Sequence, residues 1–180
     1  APQDPKGLAD EAQTASTRRY EADVKAQKLL NHTLMLSSID PSAYDAVFFA
    51  GGHGTMEDFA KDPSVKRIVE TFWKQGKPVA SVCHGPAALT QSLNTRGEPI
   101  VKGKRFTCFT DIEESTIGVD KFVPFLLESR LKEQGGTSQN VQPFQPNVVI
   151  DGQLITGQNP ASSIPVAEAI IHQLRMKMAA

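Results

Sequence analysis

No apolar run in the 180-residue sequence approaches the roughly 18 residues of a membrane-spanning helix, which argues against an integral helical membrane protein. Basic charge is also in short supply: 19 Lys and Arg against 20 Asp and Glu leave a net charge of −1, and no positive field is present to hold a nucleic-acid backbone. Cysteine occurs twice, at Cys83 and Cys108, too few for a disulfide framework in a chain of this size. Free thiols in a reducing, cytoplasmic compartment are expected instead. The cysteine spacing matches no zinc motif, and the four histidines, His32, His53, His84 and His172, are scattered, so no metal site is expected. The opening residues APQDPKGLADEAQ carry neither the apolar core of a secretion signal nor an initiator methionine, and the start is expected to be processed or cut. What is present is the mixture of an ordinary globular protein, in an amount that fits one domain with a sizeable core.

Along the chain, residues 1–19 are polar, contain Pro2, Pro5 and Gly7, and read as a loop or arm, with a short helix expected from Glu21 to Leu30. The region 1–40 is thus an arm and helix, and 41–180 the α/β core of a single domain. Tyr44–Ala50 is a short apolar run bounded by Pro41 and by Gly51-Gly52, the pattern of a buried strand. Asp62-Pro63 opens a helix whose stripe is Val65, Ile68, Val69 and Phe72. Pro78–Val82 reads as a second buried strand, Pro86 to about Leu93 as a second helix, and Gly103–Phe109 as a third strand. Pro124–Gln134 carries helical spacing that stops at Gly135-Gly136. Val148–Ile150 and Leu154–Thr156 flank a tight Asp151-Gly152 turn, and Asn159-Pro160 introduces a last helix through Val166, Ile170, Ile171 and Leu174. Strands alternating with helices predict an α/β sandwich with a largely parallel sheet.

The chemistry concentrates in VASVCHGPAAL, where Cys83 ends an apolar strand and precedes a helix signal. Sites in open α/β sheets form at the carboxyl ends of strands. A nucleophile on such a strand-to-helix elbow needs small residues two before and two after it, and Ser81 and Gly85 satisfy that pattern. The dipole of the following helix is expected to favour the thiolate. A cysteine after a strand is otherwise an inert core residue. The elbow spacing, the adjacent His84 and the Gly-Pro that follows favour a reactive one. On a sharp turn His84 can converge on Cys83 and shuttle a proton, given a carboxylate to orient it. Candidates lie in Phe109-Thr110-Asp111-Ile112-Glu113-Glu114, whose other reading is a solvated helix start. The loop Gly51-Gly52-His53-Gly54 follows the first strand on the same edge and offers a backbone amide as an oxyanion donor beside that of His84, or else is a plain tight turn.

Together with Tyr44–Phe48, Ala50–Asp58 and Asp151–Ser162, these stretches resemble the ThiJ/PfpI family of the class I glutamine-amidotransferase-like superfamily, in particular its heat-shock chaperone and glutathione-independent glyoxalase (glyoxalase III) branch. They occur in family order from about Asp4 to Ile171. The resemblance implies a flavodoxin-like three-layer sandwich with a nucleophile elbow. It implies Cys83 as nucleophile, His84 as general acid/base, Glu114 as the acidic third member with Glu113 as the alternative by one register, and the Gly52 and His84 amides as oxyanion donors. Asn159 and Pro160 match a loop near the site and are expected to be structural. Two departures stand out. Thr107-Cys108-Phe109 replaces the usual Thr-Gly-Phe, which suggests a buried thiol, and the family's opening strand, helix and strand, with a glutamate that bonds the nucleophile, have no counterpart in the sequence.

The activity implied is conversion of methylglyoxal or glyoxal to lactate or glycolate without glutathione, metal or other cofactor, with deglycase activity as a related use of the same thiol. The partners implied are a small 2-oxoaldehyde and a second copy of the chain in a homodimer. Unfolded clients of a holding chaperone without turnover, a cysteine peptidase or amidase, and a thiol redox sensor are the competing readings.

Overall fold

The computed structural model describes residues 13–179, which divide at Ile39/Asp40 into two compact units. In the first, helices α1 (Ala15–Ala22) and α2 (Val24–Asn31) are followed by a 3-10 turn, Leu36–Ser38. The loop expected over residues 1–19 is corrected in part by α1, and the single helix expected from Glu21 to Leu30 is broken at the extended residue Asp23, while residues 1–12 lie outside the described residues. Thr14 starts α1 with a reciprocal capping box to Thr17, and Asp23 caps α2 by accepting from the amides of Lys25 and Ala26. Side-chain capping of orphan amides compensates for the polar composition that suggested a loop.

The second unit is built on a four-stranded sheet of β1 (Val47–Phe49), β2 (Val79–Val82), β5 (Val148–Asp151) and β6 (Leu154–Gly157), in the order β1-β2-β6-β5. β1, β2 and β6 are parallel, and β5 returns antiparallel to β6. The central strands β2 and β6 are buried throughout, as their near-continuous apolar sequences require. The β5–β6 hairpin turns at Gly152-Gln153, one residue beyond the expected Asp151-Gly152, because Asp151 still pairs with Leu154; Gly152 takes φ +65°. Ala80 and Val82 share one face of β2 and pack with Ile155 and with Val166 of the final helix α7 (Ser163–Ala179). Helix α4 (Pro63–Lys74), after the single turn α3 (Thr55–Asp58), has the Asp62 cap, the Pro63 start and the buried stripe Val65, Ile68, Val69 and Phe72 expected of it.

Two further expectations change. The third strand shortens to β3 (Arg105–Phe106) and pairs with β4 (Thr137–Ser138) in a separate two-stranded sheet. Beyond Phe106 the backbone bonds elsewhere: the Thr107 amide donates to the Thr156 hydroxyl at 2.9 Å, and the Phe109 amide to the Cys83 carbonyl at 2.9 Å. The helix expected from Pro86 to Leu93 is a buried 3-10 segment, Gly85–Leu89. Helices α5 (Asp111–Thr116) and α6 (Leu127–Glu133) complete the unit, and a 3-10 turn at Pro160–Ser162 leads into α7.

Candidate active site

β2 ends at Val82 and the chain bends sharply at the next residue. Cys83 takes φ +60°, a left-handed conformation that a non-glycine residue holds at a cost of about 1–3 kcal/mol. Neighbouring backbone pins it there: the Cys83 amide donates to the Gly157 carbonyl and the Cys83 carbonyl accepts from Phe109, each at 2.9 Å. Close approach then dictates two glycines. A Cβ on Gly85 would lie 2.2 Å from the Phe49 carbonyl oxygen, and one on Gly51 would lie 2.7 Å from the Cys83 Cβ. Gly85 was legible from the elbow pattern. The need for Gly51 was not, since it arises from the adjacent strand's loop passing beneath the cysteine.

The bend brings Cys83 and His84 together despite their adjacency in sequence. Cys83 Sγ lies 3.3 Å from His84 Nδ1, and His84 Nε2 lies 2.8 Å from Glu114 Oε2. A carboxylate accepts from Nε2–H, which leaves Nδ1 as the acceptor facing the thiol. Burial lowers the His84 pKa below the ordinary imidazole value, with the bond to Glu114 opposing it, so the ring is neutral at pH 7. The expected lowering of the thiol pKa is reversed. Burial pushes the Cys83 thiol up to about 12, aided by the charges of Glu113 and Glu114, and amide hydrogen bonds from His84 and Gly52 offset only part of the rise. The following 3-10 segment is too short to bring a full helix dipole to bear. The resting pair is a neutral thiol and a neutral imidazole, 7% and 1% exposed.

Glu113 and Glu114, neighbours on α5, face different tasks. Glu114 meets the imidazole. Glu113 Oε2 accepts from the Thr110 amide and hydroxyl, and its Oε1 accepts from the Phe144 amide at 2.7 Å and from Asn159 Nδ2 at 2.9 Å. That network ties α5 to the loops before β5 and after β6, and it accounts for Asn159. Phe144 takes φ +63° to join it. The Phe109 ring, buried, lies 4.7 Å from the His84 ring and walls it from one side. Cys108 is fully buried with its thiol donating to the Phe109 carbonyl, and burial raises its pKa well above the ordinary value.

One histidine scattered in sequence is not scattered in space. β1 and β2 run parallel as neighbours, so the loops that follow them share an edge, and His53 Nε2 reaches Glu114 Oε1 at 2.7 Å. Its ring centroid is 4.1 Å from that of His84, and its side chain is 46% exposed. The sequence marks this loop for its backbone amides, and nothing near it in sequence identifies a partner for the imidazole. His53, His84 and Glu114 place three potential ligand atoms within 4.8 Å of one another, a donor set able to hold a metal ion.

The sequence pattern described as the DJ-1/PfpI family matches residues 10–173. The chain belongs to the DJ-1/PfpI family. Its mixed, mostly parallel sheet agrees with the flavodoxin-like fold of DJ-1/PfpI members of known structure. Crystalline glyoxalase III from Candida albicans superposes with a TM-score of 0.88 at 31% identity, over 95% of this chain and 75% of that one. In sequence, Glyoxalase 3 of Candida albicans is 36% identical over 142 residues, which are 75% of this chain and 60% of the relative. Glutathione-independent glyoxalase HSP31 of Saccharomyces cerevisiae is 33% identical over 143 residues, 76% of this chain and 60% of the relative. The matched stretch therefore spans about three-fifths of each of these DJ-1/PfpI relatives.

Proposed function

We propose that the protein is a glutathione-independent glyoxalase that converts a 2-oxoaldehyde such as methylglyoxal to the 2-hydroxy acid. The observation that carries this reading is the hydrogen-bonded line Cys83–His84–Glu114 at a left-handed elbow. The names of the relatives in Candida albicans and Saccharomyces cerevisiae support the choice of substrate class.

Because the resting pair is neutral, attack and proton transfer are coupled. The Cys83 sulfur adds to the aldehyde carbon while its proton passes to His84 Nδ1, and the Gly52 and His84 amides hold the oxyanion that forms. The imidazolium returns that proton to the oxyanion, giving a neutral hemithioacetal. His84, again neutral, removes the C–H proton from the former aldehyde carbon, and the electron pair forms an enediolate across the two carbons. Delivery of the proton to the neighbouring carbon, with the hydroxyl proton of the former aldehyde carbon passing to the neighbouring oxygen, leaves a 2-hydroxy thioester. Water then cleaves the carbon–sulfur bond, releasing the acid and regenerating the thiol. The sum is one aldehyde plus one water to one 2-hydroxy acid, with no net oxidation and no added thiol. Glu114 holds the imidazole in the required tautomer and stabilises its charged form.

The redox-sensor reading is disfavoured by the same numbers, since oxidation follows thiolate character and exposure and Cys83 has little of either. The test is to follow methylglyoxal loss and lactate formation without glutathione in the full-length protein. Stoichiometric lactate supports the assignment, and inertness toward methylglyoxal and glyoxal alike sinks it.

A further inference from the structure

We propose that His53, Glu114 and His84 form a binding site for a divalent transition metal ion of the zinc, nickel or copper type, and that occupancy of the site switches off the Cys83–His84 pair. The binding claim stands on geometry alone, while the switching claim rests on the glyoxalase reading above.

Glu114 is a buried carboxylate whose two ion pairs are both to histidines, one at each oxygen. A buried carboxylate is costly unless its charge is compensated, and a cation is the compensation that imidazoles at this spacing can recruit. Ligands at about 2.0–2.1 Å in a tetrahedral arrangement lie about 3.3 Å from one another. The present Nε2–Oε distances are 2.7 and 2.8 Å. Opening each by about half an ångström, with the two imidazole nitrogens, which lie within 4.8 Å of each other, brought to the same spacing, would admit an ion in place of the two imidazole hydrogens. His53 has the freedom to make that adjustment, since it sits on an exposed loop and is itself 46% exposed. Its open edge is also an entry path and leaves room for water as a further ligand. Two imidazoles and one carboxylate suit zinc, nickel or copper, and they do not suit calcium or magnesium, which want oxygen. Cys83 is not in the set, because its sulfur faces Nδ1, on the other side of the His84 ring from the ligating nitrogen.

The consequence follows from the imidazole's two nitrogens. A metal on His84 Nε2 needs the lone pair that a hydrogen now occupies, so that proton moves to Nδ1. Nδ1, 3.3 Å from the sulfur, then becomes a donor and can no longer accept the thiol proton. The metal also takes up the carboxylate that stabilises the imidazolium. Bound metal is therefore an inhibitor of the pair and has no part in the reaction.

The experiment is titration of the full-length protein with Co²⁺, read by its visible absorption, with Zn²⁺ as competitor. The expected result is a d–d spectrum without a thiolate-to-cobalt charge-transfer band, displaced by Zn²⁺ and retained in Cys83→Ser. His53→Gln, a change on an exposed loop, should weaken binding by about 100-fold or more, since losing a ligand costs at least as much as losing its outer partner. Zn²⁺ should inhibit methylglyoxal turnover in the wild type, reversibly with chelator, and inhibit His53→Gln only at correspondingly higher concentration. Absence of a cobalt spectrum, binding that is unchanged in His53→Gln, or a thiolate charge-transfer band would each overturn the site. Binding as expected with turnover unaffected by saturating Zn²⁺ would overturn the switch and leave the site standing. A protein that binds cobalt but turns over no aldehyde would instead count against the glyoxalase reading.

Discussion

Two opposed perturbations meet at Cys83 and His84, and both keep the pair uncharged. The His84 pKa is lowered by burial, so the neutral ring required of a base persists below pH 6.5, the ordinary imidazole value. Activity falls as pH drops through the lowered value, and the acid limb of the kcat/KM profile is therefore expected below pH 6.5. An acid limb above that value would contradict a buried neutral imidazole. The thiol behaves in the opposite sense. With a pKa of about 12 in place of 9.0, its thiolate fraction is still climbing where an ordinary cysteine has levelled off. Iodoacetamide should modify Cys83 slowly at neutral pH, with a rate that keeps rising about tenfold per pH unit between about pH 9 and pH 10. A plateau near 9 would show that the thiol is not perturbed. Glu114→Gln removes the charge that stabilises the imidazolium and should lower kcat/KM by about 10²–10⁴-fold, with the far-ultraviolet dichroism unchanged. Much of this site is legible in the sequence: the order Ser81, Cys83, His84, Gly85 announces an elbow, and the first turn of α5 carries the adjacent Glu113 and Glu114. The raised thiol pKa is not, because it depends on how completely the folded chain buries the Cys83 side chain. His53 was missed because the pairing of β1 with β2 is what aims its loop.

The elements that carry the site are held by contacts with little slack. Gly157 ends β6 where α7 crosses, and a Cβ there would lie 2.6 Å from Val166 Cγ2 and 2.9 Å from Val82 Cγ2. Gly157→Ala should destabilise the fold by about 1–3 kcal/mol through overpacking, a fall in Tm of about 2–4 °C per kcal/mol. Combining it with Val166→Ala should recover part of the loss, and strict additivity in the two melting curves would show that the two sites do not clash. Glu113 is a different case, a buried acceptor for Thr110, Phe144 and Asn159. Glu113→Ala leaves several donors unpaired and should cost about 2–5 kcal/mol of stability in chemical denaturation. A variant as stable as the wild type would show the network to be dispensable. Apolar runs closed by glycine or proline made β1, β2 and the β5–β6 hairpin readable, and Asp62-Pro63 did the same for α4. The errors fall where tertiary bonds outweigh local pattern. Thr107 and Phe109 spend their amides on Thr156 and Cys83 instead of a strand partner, and the Thr14–Thr17 capping box makes a helix from residues whose polarity suggested an arm.

Among the described residues no helix is long and apolar enough to cross a membrane, and the full sequence carries a net charge of −1. The proposed substrate, a small uncharged aldehyde, needs no charged field to steer it to the site. The lineage is fixed by a match running from residue 10 to residue 173, while the activity rests on the geometry of one bend and on relatives of which this chain matches about three-fifths. The two thiols supply the most direct discrimination, since both are buried in the same unit and only one faces an imidazole. Methylglyoxal turnover should be measured side by side in Cys83→Ser and Cys108→Ser. The account predicts lactate formation abolished in the first and retained in the second. Lactate formed at the wild-type rate by Cys83→Ser would contradict it.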